Sequence, residues 1–391
     1  MFFTDIIGQE NIKNILRENI DSGRIAHAQL FEGKSGYGTL TLAIAYARYL
    51  NCENRHNGEA CGVCKSCYAM NTLEHPNLHF VFPSNKTKKA EMMYNDGSST
   101  SKVVSDSYIS YWRKLILSKK GYITEQEWYK TIGIGDVSKN VSGIIGRADA
   151  KALKEKLIYK SIGKGYKVII IWLPERMNIE ASNTLLKEFE EPSEMTVYLF
   201  VSENSSAIIP TVLSRTQQIN IPPIKDEDIK YYLQKNKLDD NLFYQSQGDI
   251  NIINSIIDKK ENNENFSFLP IFQNLMRCCY TDNYLKLIDW SNDFSTLNRE
   301  EIKSFFYNSM RILRSCYITN IGLKKLSVIY PEEKLFIKNF APYINDKNIE
   351  NLISIFEKCF LDISRNGNSK VVMSHFALTV CKHISSKSIR K

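Results

Sequence analysis

The chain has 391 residues, 43% of them hydrophobic, which is long for one domain and enough to bury a large core. Its 51 basic and 43 acidic residues leave a net charge of +8, a mild excess that admits a nucleic-acid neighbour without demonstrating one. No apolar run approaches the roughly 20 residues that span a bilayer, and the opening MFFTDIIGQE has no basic, signal-like region, so a soluble, cytoplasmic protein with no membrane partner is expected.

In chain order, Ile12, Ile15, Leu16 and Ile20 repeat at helical spacing. A strand follows at 27-HAQLF-31, then the glycine-rich 33-GKSGYGTLT-41, then a helix with Leu40, Ala43, Ile44 and Ala47 on one face. Further strands are expected at 78–82, 167-KVIIIWL-173, 196-TVYLFVS-202 and 217-QQINI-221, with helices over 148–160 and 180–191 between them. Continuous apolar strands separated by helices predict a mostly parallel sheet covered on both faces.

Residues 84–140 interrupt this rhythm. They open with a polar, Ser- and Lys-rich stretch, 84–102, and continue with aromatic residues at helical intervals. Two readings stand here. A lysine run beside Tyr111, Trp112 and Trp128 could grip single-stranded nucleic acid by charge and stacking. Alternatively the segment is a solvated loop with a small satellite helix pair, since aromatics at helical spacing usually pack. After residue 221 the strand signals stop. A small helical region over 225–262 and a larger one from about 265 follow, the latter with apolar residues at i, i+3 and i+4 in 300–318, 348–363 and 371–384.

Four of the nine cysteines crowd into 52-CENRHNGEACGVCKSC-67 as C-x8-C-x2-C-x2-C. Two-residue gaps let thiolates from Cys52, Cys61, Cys64 and Cys67 converge on one tetrahedral ion at about 2.3 Å, and four thiolates leave no open position, which describes a structural zinc site. The alternatives are a pair of disulfides or free thiols. The other five cysteines are dispersed and fit buried thiols. The six histidines form no cluster, and His56 is superfluous if all four cysteines bind.

Gly33 and Gly38 stand five apart, as in G-x-x-x-x-G-K-[ST], with Gly36 between them. In a working phosphate loop the glycines let backbone N–H groups cradle phosphates, a lysine reaches the outer phosphates and a hydroxyl holds Mg²⁺. Here Thr39 replaces the lysine and Leu40 the hydroxyl residue, while Lys34 enters too early. The strand that should carry the acidic residues of such a site, 167–173, runs into Trp172 and Leu173, with Glu175 beyond its end. Both halves of a hydrolytic site are apolar. Arg215, after Ser214, lies in a loop before the last strand. A guanidinium forks naturally onto phosphate oxygens, although most arginines are surface or ion-paired.

Together 3-FTDIIGQENIKNIL-16, 24-RIAHAQLFEG-33, the four cysteines, 75-HPNLH-79, 182-SNTLLKEFEEPSEMT-196 and 203-ENSSAIIPTVLSRTQQI-219 resemble the clamp-loader branch of the AAA+ ATPases, the subunits of the bacterial DNA polymerase III clamp loader. The resemblance covers most of 1–222; beyond it the chain matches in general helical character and at 366-NGNSK-370. It implies a RecA-like α/β AAA+ domain with a parallel sheet over 1–222, carrying the four-cysteine zinc module at 52–67 and the insertion at about 84–140. A helical lid over 223–262 and an all-α collar or oligomerisation domain over 263–391 would follow. In this family the Ser-Arg element reaches a neighbour's ATP site, which makes Arg215, with Ser214, the trans-acting group. Members lacking a working site serve as rigid stators without ATPase activity of their own. The losses at Thr39, Leu40, Trp172 and Leu173 agree with that role, which leaves Gly33, Gly36, Gly38 and Thr39 as a degenerate loop that does not bind ATP productively. Implied partners are delta-type and gamma/tau-type clamp-loader subunits, the sliding clamp, and primed DNA through the assembled complex. The departures are Thr216, where the family often has cysteine, and the insertion. The rivals are an ATP-binding subunit of the gamma/tau type and a zinc-containing module that binds single-stranded nucleic acid.

Overall fold

In the computed structural model, residues 1–85, 87, 104–134, 142–159, 161, 163, 165–239, 241–261, 268–297, 299–323, 329, 333–365 and 367–384 are described. The lysine run at 86–89 and Asn366 of the NGNSK stretch lie outside these residues, apart from Thr87. The chain divides into two units, Met1–Ile256 and Ile257–Lys391.

The first unit is built on a five-stranded sheet in the order β2-β3-β4-β1-β5, with every neighbouring pair parallel. The strands are β1 (Ala28–Glu32), β2 (Leu78–Val81), β3 (Lys167–Trp172), β4 (Thr196–Ser202) and β5 (Gln217–Asn220). Leu30 faces Phe200 across the β1–β4 pair, and Ile170 faces Leu199 across β3–β4. β3 and β4 are buried along their whole length, as two covered faces require. Their side chains divide by alternation. Val168, Ile170 and Trp172 enter one core with Phe31, Leu40 and Ile44; Ile169 and Ile171 enter the other with Leu153, Leu185 and Phe189.

The helices of the first face are α1 (Glu10–Asp21), α2 (Thr39–Asn51) and α3 (Lys65–Asn71). α2 is buried at all its positions, and its run TLTLAIAYARYLN is accordingly mostly apolar, with Arg48 and Asn51 in its last turn making hydrogen bonds. The insertion contributes α4 (Ile109–Ser118) and α5 (Glu125–Ile132). These helices are not the satellite pair expected from the sequence. Trp112 stacks on Phe82 with ring centroids 4.3 Å apart, meets Trp128 at 5.0 Å and lies 4.9 Å from Trp172 at the end of β3. Trp112, Trp128, Ile116 and Ile132 are all fully buried in the main core. The other face carries α6 (Arg147–Ile158) and α7 (Ile179–Glu190), followed by the short α8 (Pro210–Leu213). Three helices complete the stretch after the sheet: α9 (Asp226–Lys235), α10 (Asn241–Ser246) and α11 (Ile250–Glu261).

The second unit is helical throughout its described residues: α12 (Phe268–Tyr280), α13 (Tyr284–Ser295), α14 (Arg299–Asn320), α15 (Lys334–Phe340), α16 (Ile349–Ser364) and α17 (Ser369–Ile384). It has its own aromatic core, in which Phe272, Phe305, Phe306, Phe356 and Phe376 are fully buried.

Candidate functional site

Three places hold the residues singled out above. At the first, the four cysteine sulfurs lie within 4.8 Å of one another. Four thiolates around a tetrahedral ion at 2.3 Å would stand about 3.8 Å apart, so the cluster has the size of a single-ion site. All four are free thiols, which removes the disulfide alternative. Backbone N–H groups of Cys61, Cys64 and Cys67 point at the sulfurs of Cys52, Cys61 and Cys64 at 3.2, 3.3 and 3.4 Å. Gly58 and Gly62 turn the chain through left-handed conformations, φ 70° and 77°, that other residues resist. Donation from the Val63 and Cys64 amides lowers the Cys61 thiol to about 6, whereas burial pushes Cys67 up to about 12. An N–H-rich, all-sulfur pocket fits a soft divalent ion. Arg48 braces the module from α2: its guanidinium donates to the Cys67 carbonyl and Asn71 and lies 3.6 Å from the Phe2 ring centroid.

The second place is the glycine loop. It leaves β1, makes a 3-10 turn over Ser35–Tyr37 and passes through Gly38 at φ 89° into α2. The strand before and helix after match the phosphate-loop pattern, but the chemistry does not. Thr39 and Leu40 are 1% exposed and Trp172 2%. Their positions are packed core, with no charge for a phosphate or a metal. Lys34 is exposed, and its charge acts on Asp249.

Side chains of this same unit fill the concave side of the loop. Glu203 accepts from the Ser35 N–H at 2.9 Å. With its amide oriented so that oxygen and nitrogen each meet a matching partner, Asn251 accepts from the Ser35 hydroxyl at 3.0 Å and the Gly36 N–H at 3.1 Å and donates to the Tyr122 carbonyl at 3.0 Å. Asp249 comes so close that a methyl group at position 36 would lie 1.6 Å from its Oδ1. Tyr122, from the insertion, is buried with its phenol beside Gly38 and accepts from the Ile7 N–H at 3.0 Å. Thr41 donates to the Lys120 carbonyl at 2.9 Å. Burial raises the carboxyls of Asp249 and Glu175 above the ordinary range. Tyr122, Glu203, Asp249 and Asn251 escaped the sequence reading because they come from three segments far from the loop, and no spacing links them.

The third place is Arg215, in the turn between α8 and β5. Its Nη1 donates to the Thr211 carbonyl at 2.7 Å and the Ser214 hydroxyl at 3.2 Å, and its Nη2 pairs with the Glu190 carboxylate at the end of α7. The side chain remains 32% exposed. A guanidinium has five N–H donors, so these three bonds leave two uncommitted among the described residues. The stacking residues proposed for single strands are placed otherwise: Trp112 and Trp128 have no exposed surface. Among the described residues, no helix is long and apolar enough to cross a membrane.

Comparison with known proteins adds a family. The pattern of the family described as DNA polymerase III, delta subunit matches residues 8–225. A "DNA polymerase III subunit delta'" of Bacillus subtilis is 25% identical over 222 residues, which cover 57% of this chain and 50% of that protein. A "DNA polymerase III subunit tau" of Escherichia coli is 25% identical over 232 residues, 59% of this chain and 27% of that one. The chain thus spans half or less of the length of these curated relatives. A gamma subunit-related protein of Thermotoga maritima superimposes with a TM-score of 0.38 at 13% identity, over 95% of this chain and 99% of that one.

Proposed function

The chain belongs to the DNA polymerase III delta-subunit family, and from that premise we propose that it is a clamp-loader subunit of the stator type. In this reading it does not hydrolyse ATP. It assists the ATP-dependent loading of a sliding clamp onto primed DNA, inside an assembly with delta-type and gamma/tau-type subunits. The AAA+ assignment of 1–222, the lid over 223–262 and the collar over 263–391 belong to the same proposal, as does a structural zinc ion on Cys52, Cys61, Cys64 and Cys67.

One observation carries the reading. The two positions where ATP chemistry needs charge, at the start of α2 and the end of β3, hold buried uncharged side chains, Thr39 with Leu40 and Trp172 with Leu173. A lysine or an aspartate at either place would need room that the core has filled. The group that remains available for phosphate is Arg215. Its backbone and Ser214 contacts orient it, and its open donors suit an anion presented by a neighbouring subunit. A trans-acting arginine of this kind is worth about 10³ to 10⁵ in rate in well-studied phosphoryl-transfer systems.

The test is reconstitution with delta-type and gamma/tau-type subunits. Arg215→Ala is expected to leave assembly intact and to cut DNA-stimulated ATPase sharply. An unchanged rate would remove the trans role. The gamma/tau-type reading needs a lysine at the start of α2, where Thr39 and Leu40 are buried; Lys34 precedes that helix, is exposed, and its charge acts on Asp249. The burial of Trp112 and Trp128 takes away two of the three stacking residues on which the single-strand reading rested, leaving a half-buried Tyr111.

A further inference from the structure

The glycine loop is a built anion site, and its donors already have partners. A phosphate loop works by presenting consecutive backbone N–H groups to an external anion. In this chain the Ser35 N–H bonds to the Glu203 carboxylate, and the Gly36 N–H bonds to the Asn251 amide oxygen. The Asp249 carboxylate packs against Gly36 and is itself held by the Asn251 N–H at 2.9 Å. Two carboxylates and an amide therefore stand where a polyphosphate would present its oxygens, and the carboxylates would repel one.

The second half of the observation concerns what these groups join. Asn251 opens α11, Glu203 follows β4, and Tyr122 lies in the insertion. The Asn251 amide bridges the loop to the insertion: its oxygen takes Ser35 and Gly36, and its nitrogen gives to Tyr122. Tyr122 in turn ties to Ile7 ahead of α1. Gly248, at φ 78°, lets the chain pass tightly under residues 223–224 and deliver Asp249 and Asn251 to this spot.

We propose that Asn251, with Asp249, Glu203 and Tyr122, is an internal ligand that occupies the loop's anion site and fastens residues 226–256 to the sheet without any nucleotide. The site is a latent polyphosphate site, closed by the chain itself. In a loader this would give the subunit one fixed internal geometry; that meaning rests on the stator reading, but the clasp does not.

The experiment uses the full chain, by hydrogen exchange and by thermal melts with and without millimolar sodium tripolyphosphate. In the wild type, the Ser35 and Gly36 amides are expected to exchange slowly, and tripolyphosphate to leave both the melting temperature and the exchange unchanged. Fast exchange at these two amides overturns the clasp, as does a tripolyphosphate-dependent rise in the wild-type melting temperature. The double variant Glu203→Gln, Asn251→Ala is expected to exchange about tenfold faster over 33–41 and 226–256, consistent with the loss of one or two hydrogen bonds. It is also expected to gain a tripolyphosphate-dependent rise in melting temperature, whereas the second unit is unaffected. Unchanged exchange over 226–256 in the variant overturns the proposal. If the double variant does not fold, the wild-type amide measurement decides alone. Arg215→Ala leaves all these readouts unmoved, so the clasp and the trans role stand or fall separately.

Discussion

Arg215, proposed to act in trans, and its partner Glu190 contribute little to folding. Their pair is 32% and 45% exposed, and an exposed ion pair is worth about 0–1 kcal/mol. Arg215→Ala should therefore change the unfolding free energy by less than about 1 kcal/mol in urea melts, so that a change in ATPase of a reconstituted assembly would not come from unfolding. The cysteines are the opposite case. Each thiolate is one of four possible ligands, so Cys64→Ser should lower bound zinc well below one ion per chain by native mass spectrometry. Zinc should also leave as pH falls, because protons compete for the sulfurs. The cysteine set was legible because two-residue gaps are a local pattern. A trans role for Arg215 was read from resemblance alone, and its pairing with Glu190 was not legible, because it comes from where α7 ends in space.

At the scale of elements, sequence periodicity located all five strands to within a residue or two at each end; β1 to β4 are buried apolar runs, whereas β5 is a short, mostly exposed strand of polar residues with Ile219. Periodicity failed on the insertion. α4 and α5 carry an apolar pattern that shows they are amphipathic but not what their apolar faces meet; the answer was Trp172, at a position that reads as a lost acidic residue. Trp112→Ala would open a large cavity against Phe82, Trp128 and Trp172. It is expected to cost about 3–5 kcal/mol, read as a lower urea midpoint. β2 supplies a pH test. Burial, with Lys156 and Lys167 nearby, lowers His79 to about 4 from an ordinary value of 6.5. The folded state keeps the ring neutral while the unfolded chain takes up the proton. Stability from this residue is therefore complete above pH 6.5 and is lost as pH falls from there toward 4. His79→Gln should flatten that part of the stability profile.

At the scale of the whole molecule, each of the two units has its own hydrophobic core. Separate cores unfold as separate cooperative blocks. Calorimetry should resolve two transitions, and a chelator that strips the cysteine module should lower only the one belonging to residues 1–256. The strand-to-helix change near residue 222 was visible in the sequence because apolar runs give way to 3.6-residue periodicity. The grouping of residues 226–256 with the sheet was not, because it involves the packing of Asp249 against Gly36 and hydrogen bonds made by Asn251, which no spacing announces.

Gly36 has a consequence for how such loops change over time. In a hydrolysing loop a glycine persists because a phosphate lies against it; here an aspartate from over two hundred residues downstream lies there instead. On the proposed clasp, the constraint on Gly36 comes from a second position in the same polypeptide. Among homologues with this closed loop, positions 36 and 249 should therefore covary: a chain with alanine at 36 should carry glycine, alanine or serine at 249. A glycine pattern can thus outlive its original ligand and go on being read as a nucleotide signature.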